Sequence, residues 1–277
     1  MSTSHTAPDT TAITTLYDQI GDITANLLGG NIHLGYWENE NDTSTVREAT
    51  DRVTDLAASR LGVTPGAKIL DVGCGNGRST ARIAATLRTD VLGITISEHH
   101  LAQTNEFAGQ ERLSFRLADA MDLPFPDNSF DGVAAIESIS LMPRPATAIG
   151  EIARVLKPGA RVVVVSAVLR GPVSGKDKEF FDRMYEVLTR PPFETPLSYH
   201  TMLAEAGLWV EAADDIGDHV YERSFAALLP DDPAELEREY RVLGLDPAAV
   251  GTMVEVLREF GNRPEAGYLV AVARKPW

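Results

Sequence analysis

The stretch KILDVGCGNGRSTARIA, Lys68 to Ala84, constrains this chain more than any other. An apolar run ends in Asp71 and passes through Gly73, Gly75 and Gly77 into a helical pattern. A buried strand feeding a glycine-bearing turn and then a helix brings backbone N–H groups close to a ligand, because glycine has no Cβ and tolerates positive φ. Strand patterns recur at regular intervals: DVLGITI from Asp90, LSFRLAD from Leu113, FDGVAAIE from Phe130 and ARVVVVSAV from Ala160. Helical patterns lie between most of them. Such alternation predicts an α/β fold with a doubly wound parallel sheet, and a run such as VVVV suits a strand buried on both faces.

Pro158 and Gly159 in LKPGA predict a turn before the fifth strand. TMLAEAGLWVEAADDIG predicts a helix and a sixth strand, and AGYLVAVARK a final one. The first dozen residues are polar and lack a basic start followed by an apolar core, which predicts a flexible terminus over 1–12 and no export signal. TTLYDQIGDITANLLGG, NIHLGYWEN and TVREATDRVTDLAASRLGV predict helices and an aromatic loop over 13–60, acting as a cover for cofactor and substrate. The core then spans 61–277, with a helical lid inserted at about 222–263 and broken at Pro230, Pro233 and Gly244.

A net charge of −15 disfavours a polyanionic partner, so a small-molecule acceptor is expected and nucleic acid is not. No apolar run approaches the roughly 20 residues of a membrane helix. Cys74 is the only cysteine, which rules out an intrachain disulfide and a cysteine-rich zinc site and fits a cytoplasmic setting. His99 and His100 are neighbours whose side chains diverge on a helix, so no metal is expected.

The loop lacks the third glycine of a dinucleotide fingerprint, Arg78 standing there, and no Gly-Lys-Ser or Gly-Lys-Thr follows for a phosphate loop. The pattern left is Asp-x-Gly-x-Gly-x-Gly. DVGCGNG, ADAMDLPF, SFDGVAAIES and ARVLKPGA, in this order and spacing, resemble the class I S-adenosylmethionine-dependent methyltransferases. NIHLGYW, GITIS and EAGYLVAVARKP extend the similarity over nearly the whole chain, toward bacterial natural-product enzymes such as the rebeccamycin sugar O-methyltransferase. The resemblance implies a Rossmann-like seven-stranded sheet with its last strand antiparallel, S-adenosylmethionine as cofactor and S-adenosylhomocysteine as product.

It also implies cofactor roles residue by residue. Asp71 would orient the loop amides or the methionine amine, with Gly73, Cys74 and Gly75 beside the amino acid end. Asp119 would meet the adenine amino group, flanked by Ala120 and Met121. Tyr17 or Tyr36 would hold the carboxylate. Many relatives end strand two in an acid that grips the ribose; this chain has Thr95, Ile96 and Ser97, with His100 three residues on. Related O-methyltransferases carry a histidine pair after the glutamate-serine of strand four and an acid after strand five. Here Glu137-Ser138 is followed by Ser140 and Leu141, and Ser166 stands after VVVV.

Neither serine nor leucine takes a proton from a sugar or phenol hydroxyl near neutral pH. A nitrogen or electron-rich carbon acceptor, such as an indole or alkaloid, is therefore favoured over a hydroxyl, with the O-methyltransferase as the alternative and a cofactor-binding protein without methyl transfer as a third. Glu137 and His33 are the candidate bases. Trp37, Tyr199 and His200 join His33, Ser140, Leu141 and Ser166 as candidates for acceptor contact.

Overall fold

The computed structural model describes residues 10–229 and 246–277. Seven strands form one sheet: β1 (Lys68–Val72), β2 (Asp90–Thr95), β3 (Leu113–Leu117), β4 (Phe130–Ile136), β5 (Leu156–Leu169), β6 (Trp209–Asp215) and β7 (Ala266–Arg274). Their order is β3-β2-β1-β4-β5-β7-β6. β1 to β5 run parallel, and β7 lies antiparallel between β5 and β6. Alternate residues divide the core. Ile69, Ala134, Val163, Val165 and Val270 face one side, while Leu70, Val133, Ala135, Val162 and Val164 face the other. Both faces are covered, as the unbroken valine run requires.

On the first face pack α2 (Val46–Leu61), α3 (Arg78–Leu87) and α6 (Gly175–Val187); on the second pack α5 (Pro145–Val155) and α7 (Pro196–Glu205). The short α4 (Glu98–Gln103) follows β2. Thr45 and Glu48 start α2 with a reciprocal capping box, and Gly62 ends it in a left-handed conformation. The expected helical interruption between the last two strands contains α8 (Tyr221–Leu228) and α9 (Pro247–Gly261), joined to α6 through Phe225, Phe260 and Phe181. The breaks expected at Pro230, Pro233 and Gly244 lie outside the described residues.

Two local expectations are corrected. The helix α1 (Thr10–Leu27) begins inside the stretch read as a loose terminus. Thr14 and Thr15 return their hydroxyls to the carbonyls of Thr10 and Thr11, and Ile13 is buried, so this first turn is anchored. The LKPGA segment is absorbed into β5, with the pairing register shifting between Phe130 and Gly132. A bulge there tolerates Pro158 and lets Gly159 take φ +79°. Among the described residues no helix is long and apolar enough to cross a membrane.

Candidate active site

The sheet order reverses between β1 and β4, which opens a crevice at the carboxyl ends of the strands. A cavity of about 180 Å³ fills it. Sixteen of the residues singled out in the sequence meet on its walls: Tyr17, His33, Asp71, Gly73, Cys74, Gly75, Thr95, Ile96, Ser97, His100, Asp119, Ala120, Met121, Glu137, Ser140 and Leu141. They come from α1, the aromatic loop and the ends of four strands. Five others lie elsewhere, as described below.

The glycine loop is built by close approach. Gly73 adopts φ +75°, and a Cβ there would run into the Ser138 side chain; Gly75 adopts φ +53° against Ile32. The Gly73 and Cys74 amides both donate to the Ile94 carbonyl at 2.9 Å, which fixes the loop to β2. The amides of Gly75 and Asn76 donate to no acceptor among the described residues. They form an open pair of donors suited to an anionic group. Beneath them Asp71 accepts from Thr80 Oγ1 at 2.6 Å, and burial pushes its carboxyl up to about 6. Burial also raises the Cys74 thiol well above its usual range, so the nucleophilic thiolate is disfavoured.

At the end of β2, Ser97 Oγ caps α4 by accepting from the His100 amide at 2.9 Å and donates to Asp18 Oδ1 at 2.6 Å. An acid thus stands beside the strand end in space, brought there by α1. Asp18 was not found from the sequence; the available signal was that the strand end itself carried no acid. Burial lowers the His100 imidazole, whose Nε2 has no partner and abuts Gly21 of α1. After β3, Asp119 Oδ1 accepts from the Met121 amide at 2.8 Å and shapes its own turn. The neighbouring Ala120 amide is unpartnered among the described residues.

Glu137 holds the far wall together. Its Oε1 accepts from the Leu34 amide at 2.8 Å and from the Tyr268 hydroxyl, so it fastens the aromatic loop to β7. The residue sits at φ +49°, a left-handed conformation that side chains other than glycine adopt at an energetic cost. Ser138 Oγ donates to the Val72 carbonyl at 2.6 Å and ties β4 to β1.

His33 is engaged at both nitrogens. A carbonyl only accepts, so Nδ1 carries the proton toward Leu34 O at 3.0 Å, and Nε2 receives the Thr54 and Ser79 hydroxyls at 3.1 and 3.2 Å. Burial lowers this imidazole, which stays neutral as a fixed acceptor rather than a free base. Ser79 therefore does more than open a helix. Arg78 likewise grips Asp51 of α2 at 2.8 and 2.9 Å.

Five sequence candidates lie outside the lining of this cavity. Ser166 and Tyr199 hydrogen-bond each other at 2.8 Å and are wholly buried in the core on the second face, away from the cavity. Trp37 donates from Nε1 to Ser44 O at 3.1 Å beneath the Arg223 guanidinium, and Tyr36 packs edge-on against His219. Both rings serve the packing of the loop rather than the cavity wall. His200 is exposed on α7. Conversely, Arg190 lines the cavity without having been singled out. It lay in a proline-rich connection, TRPPFE, where the sequence shows no periodicity to aim it. No group of three or more His, Cys, Asp or Glu able to hold a metal occurs among the described residues.

The methyltransferase domain model matches residues 70–164. The chain is 36% identical to the 27-O-demethylrifamycin SV methyltransferase of Amycolatopsis mediterranei (strain S699), over 94% of this chain and 95% of that protein. It is 35% identical to the O-methyltransferase resE of Aspergillus sclerotiorum, over 94% of this chain and 97% of that one. Among solved structures it is similar to the (4+2)-cyclase SpnF, with a TM-score of 0.77 and 29% identity over 98% of this chain and 97% of that chain.

Proposed function

The chain belongs to the class I S-adenosylmethionine-dependent methyltransferases, and from that premise we propose that it methylates a hydroxyl oxygen of a small-molecule natural product. The observation that carries this reading is one continuous cavity running from the open amides of the glycine loop to Glu137, Ser140 and Arg190. Donor and acceptor can meet there sheltered from water, and an in-line displacement depends chiefly on such alignment.

The residues fit the cofactor. The free amides of Gly75 and Asn76 would take its carboxylate and Asp71 its ammonium group. Asp18 and His100 would border the ribose, and Asp119 with the Ala120 amide the adenine. When bound, the cofactor supplies an electrophilic methyl group on a sulfonium. The protein's part is to hold both partners and exclude water.

The missing histidine–acid dyad favours nitrogen or carbon as acceptor, whereas relatives described as O-methyltransferases support oxygen. Oxygen is preferred because the similarity to the first of these covers 94% of this chain and 97% of that one. Incubation with a 13C-methyl-labelled cofactor and a panel of hydroxylated and aminated aromatic acceptors, followed by NMR of the product, decides the atom. An O-methyl resonance is expected; an N- or C-methyl product overturns the proposal. The likeness to a chain described as a cyclase supports a second reading, a cofactor-binding protein without methyl transfer. Absence of S-adenosylhomocysteine release with every acceptor would favour it.

Asp71 makes cofactor affinity depend on pH. Burial raises its carboxyl from 3.8 to about 6, so the native state holds a proton that the unfolded chain releases, and stability falls as pH rises through that window. An ammonium group beside it favours the ionised form. S-adenosylhomocysteine is therefore expected to bind several-fold more tightly above pH 6 than at pH 5. Asp71→Asn should flatten that dependence, as calorimetry across the range would show.

A further inference from the structure

Among the described residues Arg190 is the only lysine or arginine on the cavity wall, and the cofactor roles leave its charge unused. The chain reaches it through Thr189, which adopts φ +45°, and the Arg190 amide is fixed to the Tyr185 carbonyl at 3.0 Å. Its guanidinium stacks on the Phe193 ring, 3.7 Å from the centroid. Nε donates to the Pro191 carbonyl at 3.3 Å, while Nη2 is buried with no hydrogen-bond partner. The side chain is 8% exposed and forms no ion pair among the described residues. A buried cation without a counter-charge is expensive, and such groups persist where a ligand supplies the missing anion.

The surroundings are arranged around that charge. Its field reaches Tyr17 on α1, Tyr185 on α6, Tyr199 on α7 and Tyr221 on α8, and in each case it opposes the effect of burial on the phenol. Glu137, the nearby acid that also acts on Tyr17 and Tyr221, is already held by Leu34 and Tyr268. His33 is held at both nitrogens and Ser140 is not a base. The cavity thus offers a fixed cation, with Glu137 Oε1 and both His33 nitrogens already engaged.

We propose that Arg190 binds the acceptor as an oxyanion, so that the substrates are acidic phenols or enols that have lost their proton to solvent before docking. This rests on the oxygen-acceptor reading and explains how it proceeds without a dyad. The anionic oxygen forms the new C–O bond as the C–S bond breaks, the electron pair goes to sulfur, and the two opposite charges cancel. No proton is removed inside the site. The forked, planar guanidinium suits an oxygen in conjugation with a ring, and its stacking on Phe193 sets its plane.

The test uses the full chain saturated with S-adenosylhomocysteine and titrated with 4-nitrophenolate, with neutral 4-nitroanisole as comparison. Wild type is expected to bind the anion at least tenfold more tightly than the neutral analogue. Arg190→Met should erase that preference and Arg190→Lys should retain part of it. Equal binding of the two probes by wild type overturns the proposal without any variant, so misfolding of Arg190→Met cannot obscure the result. A folded Arg190→Met that keeps the preference overturns it as well. The two readings fail separately. An O-methyl product formed with no anion preference removes the role of Arg190 alone, whereas Arg190-dependent anion binding with an N- or C-methyl product removes the oxygen acceptor alone.

Discussion

Replacing Gly73 with alanine is expected to lower stability by about 2–4 kcal/mol and to weaken S-adenosylhomocysteine binding at least a hundredfold. Two penalties combine. A non-glycine residue at φ +75° costs on the order of 1 kcal/mol, and the new Cβ would overlap the Ser138 side chain in a packed interior. The loop has no easy retreat, since its amides are bonded to Ile94 and Ser138 is itself bonded to Val72. Relief would come from moving the loop outward, which takes the free amides of Gly75 and Asn76 out of register with a bound ligand. Thermal unfolding and calorimetry on the same variant measure both effects. Affinity within threefold of wild type would show that the loop does not hold the cofactor.

Glu137→Ala should lose about 2–4 kcal/mol and reduce turnover more than a hundredfold, while Glu137→Gln should keep most of both. The alanine variant strands two donors, the Leu34 amide and the Tyr268 hydroxyl, and unfastens the aromatic loop from β7. Glutamine retains a carbonyl oxygen that can accept from the same two groups. A residue that removes the acceptor's proton behaves differently: its glutamine variant folds well and turns over poorly. Denaturant melts and single-turnover rates for the pair of variants separate a clamp from a base. A stable, inactive Glu137→Gln enzyme would return Glu137 to the role of base.

The sheet was legible in the sequence because its seven strands punctuate the chain at readable intervals, and burial on both faces writes itself as apolar runs in β1, β2, β4, β5 and β7, whereas β3 and β6 are half-exposed. LKPGA was read as a turn because Pro158 and Gly159 usually make one; a register shift against β4 accommodates both within a strand. The part of the cavity lined by the glycine loop and the strand ends was legible too, since each of these is contiguous in sequence. The part lined by α1 and Arg190 was not. Asp18 and Arg190 reach the cavity through the packing of α1 and of the segment after α6, and no local pattern encodes that proximity. Ser166 and Tyr199 were misplaced for the same reason. A hydroxyl after a buried strand looks like a site residue until its partner, here another buried hydroxyl, is seen.

The position of α1 has a practical side. Thr10, Ile13, Thr14, Tyr17 and Asp18 all contribute to the cavity wall, yet they precede residues 70–164, where the family domain model matches. The cavity wall can therefore drift, or be redesigned, in a short helix of 18 residues while the sheet and its glycine loop stay as they are. Exchanging that helix between relatives offers a compact library of altered cavity walls that leaves the sheet beneath them intact.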